Sequence, residues 1–288
     1  MATITAGMVA QLRERTGLGM MECKRALTET EGDLEAAVEL MRKKGVKDKG
    51  DRVAGEGLVL SHINDGGADG ALIELNSETD FVARNDDFKG LGRLLAEKST
   101  TSKANTPEEL LGDPGLRAYY DETVRAIGEK IVFSRFTRYS AAPGNTLVTY
   151  VHNPNGPQTD GGKVGVLIEL SGTDVAELGR DIAMHISFAK PRFLADTDVD
   201  AATVAKEKEI LTEQTRSDPK MAGKPDQVIE GAVSGRLKKF LGEIVLLSQP
   251  YIRDDKKTVG QYVKETPGAS IVRFVCFQVG ENVKKTEE

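Results

Sequence analysis

The chain has 288 residues, of which 39% are hydrophobic and 29% charged, and its formal net charge is -6. This length and composition are typical of a soluble globular protein that buries a sizeable core in one large domain or two smaller ones. The negative charge argues against a broad polyanion-binding face, because nucleic-acid binding ordinarily uses clustered Lys and Arg. We therefore expect no direct nucleic-acid partner.

The two cysteines, Cys23 and Cys276, indicate neither a metal site nor a disulfide framework. Neither has a neighbouring His or a second Cys that would complete a set of metal ligands. The N-terminus has no apolar signal region, and no stretch approaches the roughly 18 apolar residues of a membrane span. We expect a reduced, cytoplasmic protein without metal, cofactor or membrane partner.

Residues 1–45 are predicted to form a module of three short amphipathic helices. Thr5 and Asp33 are suitable N-caps for the first and third helices, and Gly45 is suited to end the third. The core of so small a module is marginal, so its exposed apolar residues are candidates for docking. Residues 46–55 are polar and rich in charge, which predicts a linker; a phosphate-binding patch is the alternative.

From Glu56 onward, the pattern changes to that of strands. The runs EGLVLSHI and GALIELNS flank one turn, and TLVTYVH and KVGVLIELS flank another, so both pairs are predicted to form β-hairpins. The runs IVFSRFTRY and SIVRFVCFQV predict two further strands. Because a helix follows each hairpin, we predict an α+β fold whose antiparallel sheets are covered on one face.

An internal duplication divides this core into a first half, 56–140, and a second half, 141–288. The segment ALIELNS at 71–77 aligns with VLIELSG at 166–172, and the LGR triplet at 91–93 aligns with that at 178–180. Between strand and helix the first half has 8 additional residues, within SETDFVARND. Because the shared unit folds without them in the second half, this insertion is the first candidate for function.

The second half also contains a predicted helical hairpin at about 199–241. Two helical runs, ATVAKEKEILTEQTR and PDQVIEGAVSGRLKKF, surround the turn SDPKMAGKP. Their apolar residues are sparse, which favours an antiparallel pair that protrudes from the body with a thin apolar seam. A stabilising excursion and a contact arm are both consistent with this pattern.

No set of catalytic residues is evident. His62 and His152 lie at strand ends and His185 lies in a helix, where an isolated His is more often structural, although His185 beside Met184 could contact a partner. A nucleophile elbow, a phosphate-binding loop and a dinucleotide motif are all missing from the sequence. Binding is therefore favoured over enzymatic activity, and an enzyme on an α+β scaffold is the weaker alternative.

Phe81 is the most distinctive residue of the inserted segment. It is a large apolar side chain in a loop, with Asp80 and Arg84 on either side. One interpretation is that Phe81 tucks beneath its own loop together with Val82. The other is an aromatic anchor that enters a partner's pocket, with charged neighbours at the rim.

Several long segments resemble the elongation factor Ts family. They are LRERTGLGMMECKRALTETEGDLEAAVELMRKKG, TDFVAR, AMHISFAKPRF, GRLKKFLGEIVLLSQPYI and SIVRFVCFQVGE, which occur in the family's order and span nearly the whole chain. The resemblance implies a ubiquitin-associated-like N-terminal module, a protruding helical hairpin and a partner, the GTPase elongation factor Tu. It implies guanine-nucleotide exchange, with disturbance of the partner's Mg²⁺ site, as the function.

The resemblance also assigns three groups of contact residues. The N-terminal module would dock on the GTPase domain, Phe81 with Asp80 would press beside the nucleotide site, and the second half would grip another domain. The residues so assigned are Val9, Leu12, Leu18, Gly19 and Met20 in the module, Thr79, Asp80, Phe81, Val82, Ala83 and Arg84 in the insertion, and Met184 and His185 in the second half.

Two points stay open at this stage. Some family members continue into a further C-terminal helix, whereas this chain ends in NVKKTEE, so we assign no contact to that helix here. The helical hairpin could contact either the partner or a second copy in a homodimer. A non-catalytic adaptor that uses only the ubiquitin-associated-like module is the alternative function.

Overall fold

A computed structural model describes residues 4–44, 53–153, 156–157, 160–221 and 223–282, and confirms the predicted α+β class. Three helices come first, and two three-stranded antiparallel sheets with their helices follow. The elements are α1 Ala6–Thr16, α2 Met20–Glu29, α3 Leu34–Lys43, β1 Glu56–Ile63, β2 Asp69–Ser77, α4 Asp80–Ala83, α5 Asp86–Thr101, α6 Pro107–Leu110, α7 Pro114–Ile127, β3 Ile131–Ser140, β4 Asn145–His152, β5 Val164–Ser171, α8 Ala176–Ala189, α9 Ala201–Ser217, α10 Asp226–Ile244, β6 Pro250–Tyr251, β7 Asp254–Thr258, α11 Val259–Lys264 and β8 Ser270–Gln278.

The three N-terminal helices form a bundle with its own apolar core. As predicted, Thr5 caps α1 by accepting a hydrogen bond from the Met8 N–H, and Asp33 caps α3 by accepting one from the Ala36 N–H. The described residues do not include Gly45, to which we assigned the end of the third helix. They also do not include residues 46–52, which form most of the predicted linker and the alternative phosphate-binding patch. The core consists of Val9, Leu12, Cys23, Ala26, Leu27, Ala37, Val38 and Met41.

One ion pair connects this bundle to the rest of the protein. Arg13 of α1 contacts the carboxylate of Asp121 in α7, and both side chains are mostly shielded from solvent. A partly buried pair is screened less by salt than an exposed one. The pair therefore contributes to the orientation of the bundle on α7.

Both predicted β-hairpins are confirmed, and each gains a third strand from later in the chain. The sheet orders are β1-β2-β3 and β4-β5-β8, all antiparallel. Helix α5 packs on the first sheet and α8 on the second. The boundary that we predicted between the halves, at 140/141, falls in the turn between β3 and β4.

The prediction that one face of each sheet is covered was wrong, because both faces are covered. Opposite its helix, each sheet packs against the other sheet, and nearly all residues of β2 and β5 are buried. Continuous rather than alternating apolar runs are the sequence signal of such strands. The core between the sheets consists of Val59, Leu72, Tyr139, Leu147, Leu167 and Phe277.

Two equivalent glycines support the duplication. A Cβ atom at Gly92 of α5 would lie 2.7 Å from the side chain of Leu60, and one at Gly179 of α8 would lie 2.7 Å from that of Val148. Real Cβ atoms do not approach so closely, so only glycine allows each helix to lie this near its sheet. Both glycines belong to the aligned LGR triplets.

Equivalent β-bulges mark a buried carboxylate in each half. The register shifts after Glu74 in β2 and after Glu169 in β5, and each residue is only 1% exposed. Arg135 of β3 donates to Glu74 through Nε at 2.7 Å, and Arg273 of β8 donates to Glu169 in the same way at 2.7 Å. Each sheet therefore contains the same ion pair between a buried carboxylate and a partly exposed arginine.

Each arginine also stacks on an aromatic ring of the other half. The Arg135 guanidinium lies 4.0 Å from the ring centre of Phe277, and that of Arg273 lies 4.1 Å from the ring centre of Tyr139. A desolvated guanidinium over a ring is a favourable cation–π contact. The two halves therefore hold each other through reciprocal contacts.

The second oxygen of each carboxylate accepts a hydrogen bond from a backbone N–H. Glu74 Oε1 accepts a hydrogen bond of 2.8 Å from the Gly280 N–H, and Glu169 Oε1 accepts one of 3.0 Å from the Ala142 N–H. The second half thus supplies a backbone donor for Glu74, whereas the donor for Glu169 comes from the turn between β3 and β4. We refer to these two ion pairs, their rings and their backbone donors as the interlock.

The pKa of Glu169 reflects these partners. Burial alone would raise it, but hydrogen bonds from Asn145 and the Ala142 N–H, together with Arg273, hold the pKa below its ordinary value. A carboxyl whose pKa is lowered by folding contributes stability above its unfolded pKa of about 4.3 and loses that contribution as the pH falls further.

The predicted helical hairpin is confirmed as α9 and α10, which pack chiefly against each other. Its apolar seam is thin, since few side chains between the helices are buried: Leu211 and Thr215 in α9 and Val233 in α10. The second helix continues to Ile244, slightly beyond the predicted end.

We predict that Glu169→Ala lowers the free energy of unfolding by about 2 kcal/mol, because the Arg273 Nε, the Asn145 amide and the Ala142 N–H lose their shared acceptor. Urea denaturation near neutral pH measures the change. Glu39→Ala, which removes an exposed carboxylate paired with Lys43, is the matched control and should leave the midpoint unchanged. Equal midpoints for both variants would contradict the structural role of the interlock.

Candidate interaction sites

Among the described residues, the three most exposed large apolar side chains lie at three separate places. Phe81 in α4 is 76% exposed, Met21 in α2 is 72% exposed and Phe188 in α8 is 74% exposed. Isolated surface apolar residues are normal, but long or aromatic side chains exposed to this extent are candidates for contact with another protein. We treat the surroundings of each in turn.

The inserted residues of the first half form the short helix α4. Val82 and Ala83 point into the core beneath it and are buried, whereas Phe81 points away into solvent. The interpretation that Phe81 tucks beneath its own loop is therefore wrong. The insertion holds an aromatic ring outward on a base that is packed into the core.

Charged groups lie on either side of Phe81. The Asp80 carboxylate and the Arg84 guanidinium form an ion pair of 2.7 Å, and both side chains are substantially exposed. Exposed pairs of this kind contribute little to stability, so either group can exchange its partner at low cost. Thr79, at the start of the helix, turns inward and donates a hydrogen bond to Glu129.

In the N-terminal module, the exposed residues that we assigned to docking lie at the turn between α1 and α2. Gly17 ends α1 with a φ of 69°, Leu18 is half-buried, and Gly19 is exposed as the N-cap of α2. Met20 follows with 54% of its surface exposed. Met21, still more exposed, was missed by the sequence analysis because its neighbour occupies the better amphipathic position.

Two residues assigned to this surface lie elsewhere. Leu12 is fully buried and Val9 is 5% exposed, both in the core of the module. Apolar residues at helical spacing ordinarily form the core, and these two obey that rule. In this structure they support the turn around Gly19 from below.

His185 in the second half is also buried. Its Nδ1 accepts a hydrogen bond of 3.2 Å from the Ile252 N–H, and its Nε2 lies 2.9 Å from Gln249 Oε1. The Gln249 amide donates to the Glu243 carbonyl oxygen, so its Oε1 is an acceptor and the His185 Nε2 is the protonated nitrogen. His185 therefore positions the loop that carries Ile252, and it is not itself on the surface.

The surface above His185 consists of side chains from α8 and this loop. Met184 is half-buried, and Phe188 follows it four residues later on the same side of the helix. Ile252 is 42% exposed, and Arg253 extends to within 3.8 Å of the Met184 sulfur. The sequence did not lead us to predict Phe188 as a contact residue. The signal was present, because Phe188 does not fall at the helical spacing of the buried residues of α8.

Comparison with known proteins decides the family. A family model described as elongation factor TS matches residues 78–281, which include α4 and α8. Proteins named elongation factor Ts from Alkalilimnicola ehrlichii and Methylococcus capsulatus are 46% and 47% identical, each over 99% of this chain and 95% of the relative. One from Clostridium perfringens is 39% identical over 99% of this chain and 96% of the relative. The chain belongs to the elongation factor Ts family.

Membership in the elongation factor Ts family makes this protein a translation elongation factor. The alignments with full-length relatives extend across the N-terminal module, which precedes the span of the family model. All three exposed areas therefore lie within the part of the chain that aligns with proteins named elongation factor Ts.

Burial makes both thiols of this elongation factor Ts family member poor nucleophiles. Desolvation raises the pKa of Cys23, and it raises the pKa of Cys276 to about 11. Among the described residues, no cluster of His, Cys, Asp and Glu is arranged to hold a metal ion. Within the same part of the chain, none of the helices has the length and apolar character needed to cross a bilayer.

We predict that stability decreases on acidification in a way that depends on His185. Desolvation lowers the pKa of His185 below its ordinary value of about 6.5, although the Gln249 hydrogen bond acts in the opposite direction. The unfolded chain therefore binds more protons, so stability is complete above pH 6.5 and decreases as the pH falls towards the folded pKa. Thermal midpoints between pH 7.5 and 5.5 measure the slope. His185→Gln should flatten it, and parallel slopes would contradict the assignment.

Proposed function

We propose that this protein is a guanine-nucleotide exchange factor that binds elongation factor Tu and promotes GDP release, so that GTP can rebind during translation elongation. The observation that carries the proposal is the position of Phe81, with 76% of its surface exposed on a helix that is packed into the core. An aromatic side chain held outward is suited to enter a pocket of a partner protein. Family membership supports the choice of partner.

The proposed mechanism is a coupling between two binding equilibria. A factor that binds the nucleotide-free GTPase more tightly than its GDP form must weaken GDP binding by the same ratio. Phe81 and Asp80 would press beside the nucleotide site and displace Mg²⁺, which neutralises phosphate charge while it is bound. GDP would then leave, and GTP in excess would refill the site and release the factor.

In this proposal, each of the three exposed areas contacts a different part of the partner. The turn at Gly19 and Met20 would dock on the GTPase domain, and residues 79–84 would act at the nucleotide site. The surface formed by Met184, Phe188 and Ile252 would hold a different domain. The areas lie in different parts of the chain, which is consistent with a partner that has several domains.

The proposal requires no chemical step by this protein, and we propose that it acts without cofactor or catalytic residue in the cytoplasm. Val9, Leu12 and His185 then act indirectly, because they support the surfaces above them. An adaptor that used the N-terminal module alone would leave the exposure of Phe81 and Phe188 without a role. The exchange function accounts for all three areas.

We predict that Phe81→Ala slows the stimulated release of GDP at least roughly tenfold, because truncation of an aromatic anchor costs about 2 kcal/mol or more. The measurement is the release of fluorescent GDP from elongation factor Tu at fixed Mg²⁺, with the factor below stoichiometric amount. Val228→Ala truncates an apolar residue of the helical hairpin that is 47% exposed, and it is the control. Equal rates for the wild type and Phe81→Ala would remove Phe81 from the mechanism.

We predict a different kinetic effect for the docking turn. Met20→Ala together with Met21→Ala should raise the factor concentration needed for half-maximal release at least about tenfold, because apolar contact area is lost. The rate at saturating factor should stay near that of the wild type, since α4 is intact. A reduced saturating rate with unchanged half-maximal concentration would contradict the assignment of this turn to docking.

A further inference from the structure

Helix α4 is too short to hold its own position. It has four residues, Asp80–Ala83, and isolated helices of this length are unstable in water because nucleation is unfavourable. Val82 and Ala83 anchor one side in the core. The direction in which Phe81 points must therefore depend on what holds the first residue of the helix.

Thr79 occupies the N-cap of α4 but does not cap it. A Thr at this position ordinarily accepts a hydrogen bond from a backbone N–H in the first turn, and here no such bond is made. The Thr79 hydroxyl instead lies 3.1 Å from both carboxylate oxygens of Glu129 and donates to them. Its carbonyl oxygen accepts a hydrogen bond of 2.9 Å from the Ser77 hydroxyl.

Glu129 comes from the turn that follows α7. Gly128 ends that helix with a φ of 79°, a conformation that L side chains rarely adopt, and the chain then reverses into β3. The next residue, Lys130, donates its backbone N–H to the carboxylate of Glu78. The turn 128–130 thus contacts the two residues that immediately precede α4.

The turn itself is held on both sides. Leu116 of α7 is buried in the core of the first half, and the Tyr120 hydroxyl donates a 2.7 Å hydrogen bond to the Ile131 carbonyl oxygen just beyond the turn. Burial raises the pKa of Tyr120 to about 12, so its hydroxyl stays protonated as a donor. The backbone that carries Glu129 is therefore held on both sides of the turn.

We propose that Glu129 is a positioning residue, whose carboxylate holds Thr79 so that Phe81 faces the partner before binding. This inference rests on the proposed exchange function. A bond to a charged acceptor is stronger than a neutral cap, and a group that is ordered beforehand loses less entropy on binding. Glu129 acts through Thr79 and contacts no substrate.

The kinetic test compares Thr79→Val and Glu129→Ala with the conservative variant Thr79→Ser. In the GDP-release assay, the first two should lower the rate at saturating factor roughly tenfold, the effect expected from losing a hydrogen bond to a charged group. The half-maximal concentration should change less than about twofold, because the docking turn is intact. Thr79→Ser keeps the hydroxyl and should restore the rate, and the double variant should be no slower than either single one.

A second measurement requires no partner. Amide hydrogen exchange of Arg84 and Asn85, whose N–H groups donate to the Phe81 and Val82 carbonyl oxygens, should accelerate roughly tenfold in the free Glu129→Ala and Thr79→Val variants, since α4 loses its anchor. Thr79→Ser should exchange at the wild-type rate. Unchanged exchange in the first two variants overturns the positioning role.

The two measurements distinguish failure of the proposed exchange function from failure of the positioning role of Glu129. A wild-type protein that does not accelerate GDP release overturns the exchange function and, with it, the role of Glu129 in exchange. A wild type that accelerates release, with Thr79→Val and Glu129→Ala equally fast at saturation, overturns the positioning role alone. Loss of rate in Thr79→Ser as large as in Thr79→Val also overturns it.

Discussion

Two almost fully buried carboxylates, Glu74 and Glu169, impose the main constraint on this core. A buried charge without a partner is costly, so each carboxylate needs a cation and further donors close by. The cation comes from the third strand of its own sheet. A further backbone donor comes from Gly280 of the second half for Glu74, and from Ala142 in the turn between β3 and β4 for Glu169. Each arginine also stacks on a ring of the opposite half, so the ion pair of each sheet is packed against the other sheet.

The same constraint determines where the contact areas lie. Strand β2 contains Glu74 and ends at Ser77, directly before the residues that hold α4. Strand β5 contains Glu169 and ends at Ser171, shortly before α8 begins. Since the interlock fixes both strands against each other, it also fixes the separation between Phe81 and the α8 surface. An interface with several separate areas requires such a rigid base to align them.

Local patterns predicted much of the fold, and long-range partners explain what they missed. The helices, hairpins and duplication follow from periodicity and from turn residues, which are properties of neighbouring positions. The glutamates inside the apolar runs ALIEL and VLIEL can be seen in the sequence. Their partners could not be predicted, because they are distant in sequence. For the site, the insertion directed attention to α4, on which Phe81 is 76% exposed. Leu12 and His185 were placed on the surface although they are buried, and Phe188 was missed, because the resemblance names motifs without saying which side of a helix is exposed.

The last strand, β8, has a consequence for how the protein is made. The backbone donor for Glu74, the Gly280 N–H, follows it in the chain by 206 residues, and the ring beneath Arg135 arrives almost as late. At typical synthesis rates of about 5–20 residues per second, the first half waits on the order of 10–40 seconds for these partners. During that time the core between the two sheets lacks Phe277 of β8, and the apolar surface that Phe277 later covers is exposed to aggregation. A ribosome that stalls before β8 therefore leaves an unfinished core for chaperones and proteases, and no smaller working protein.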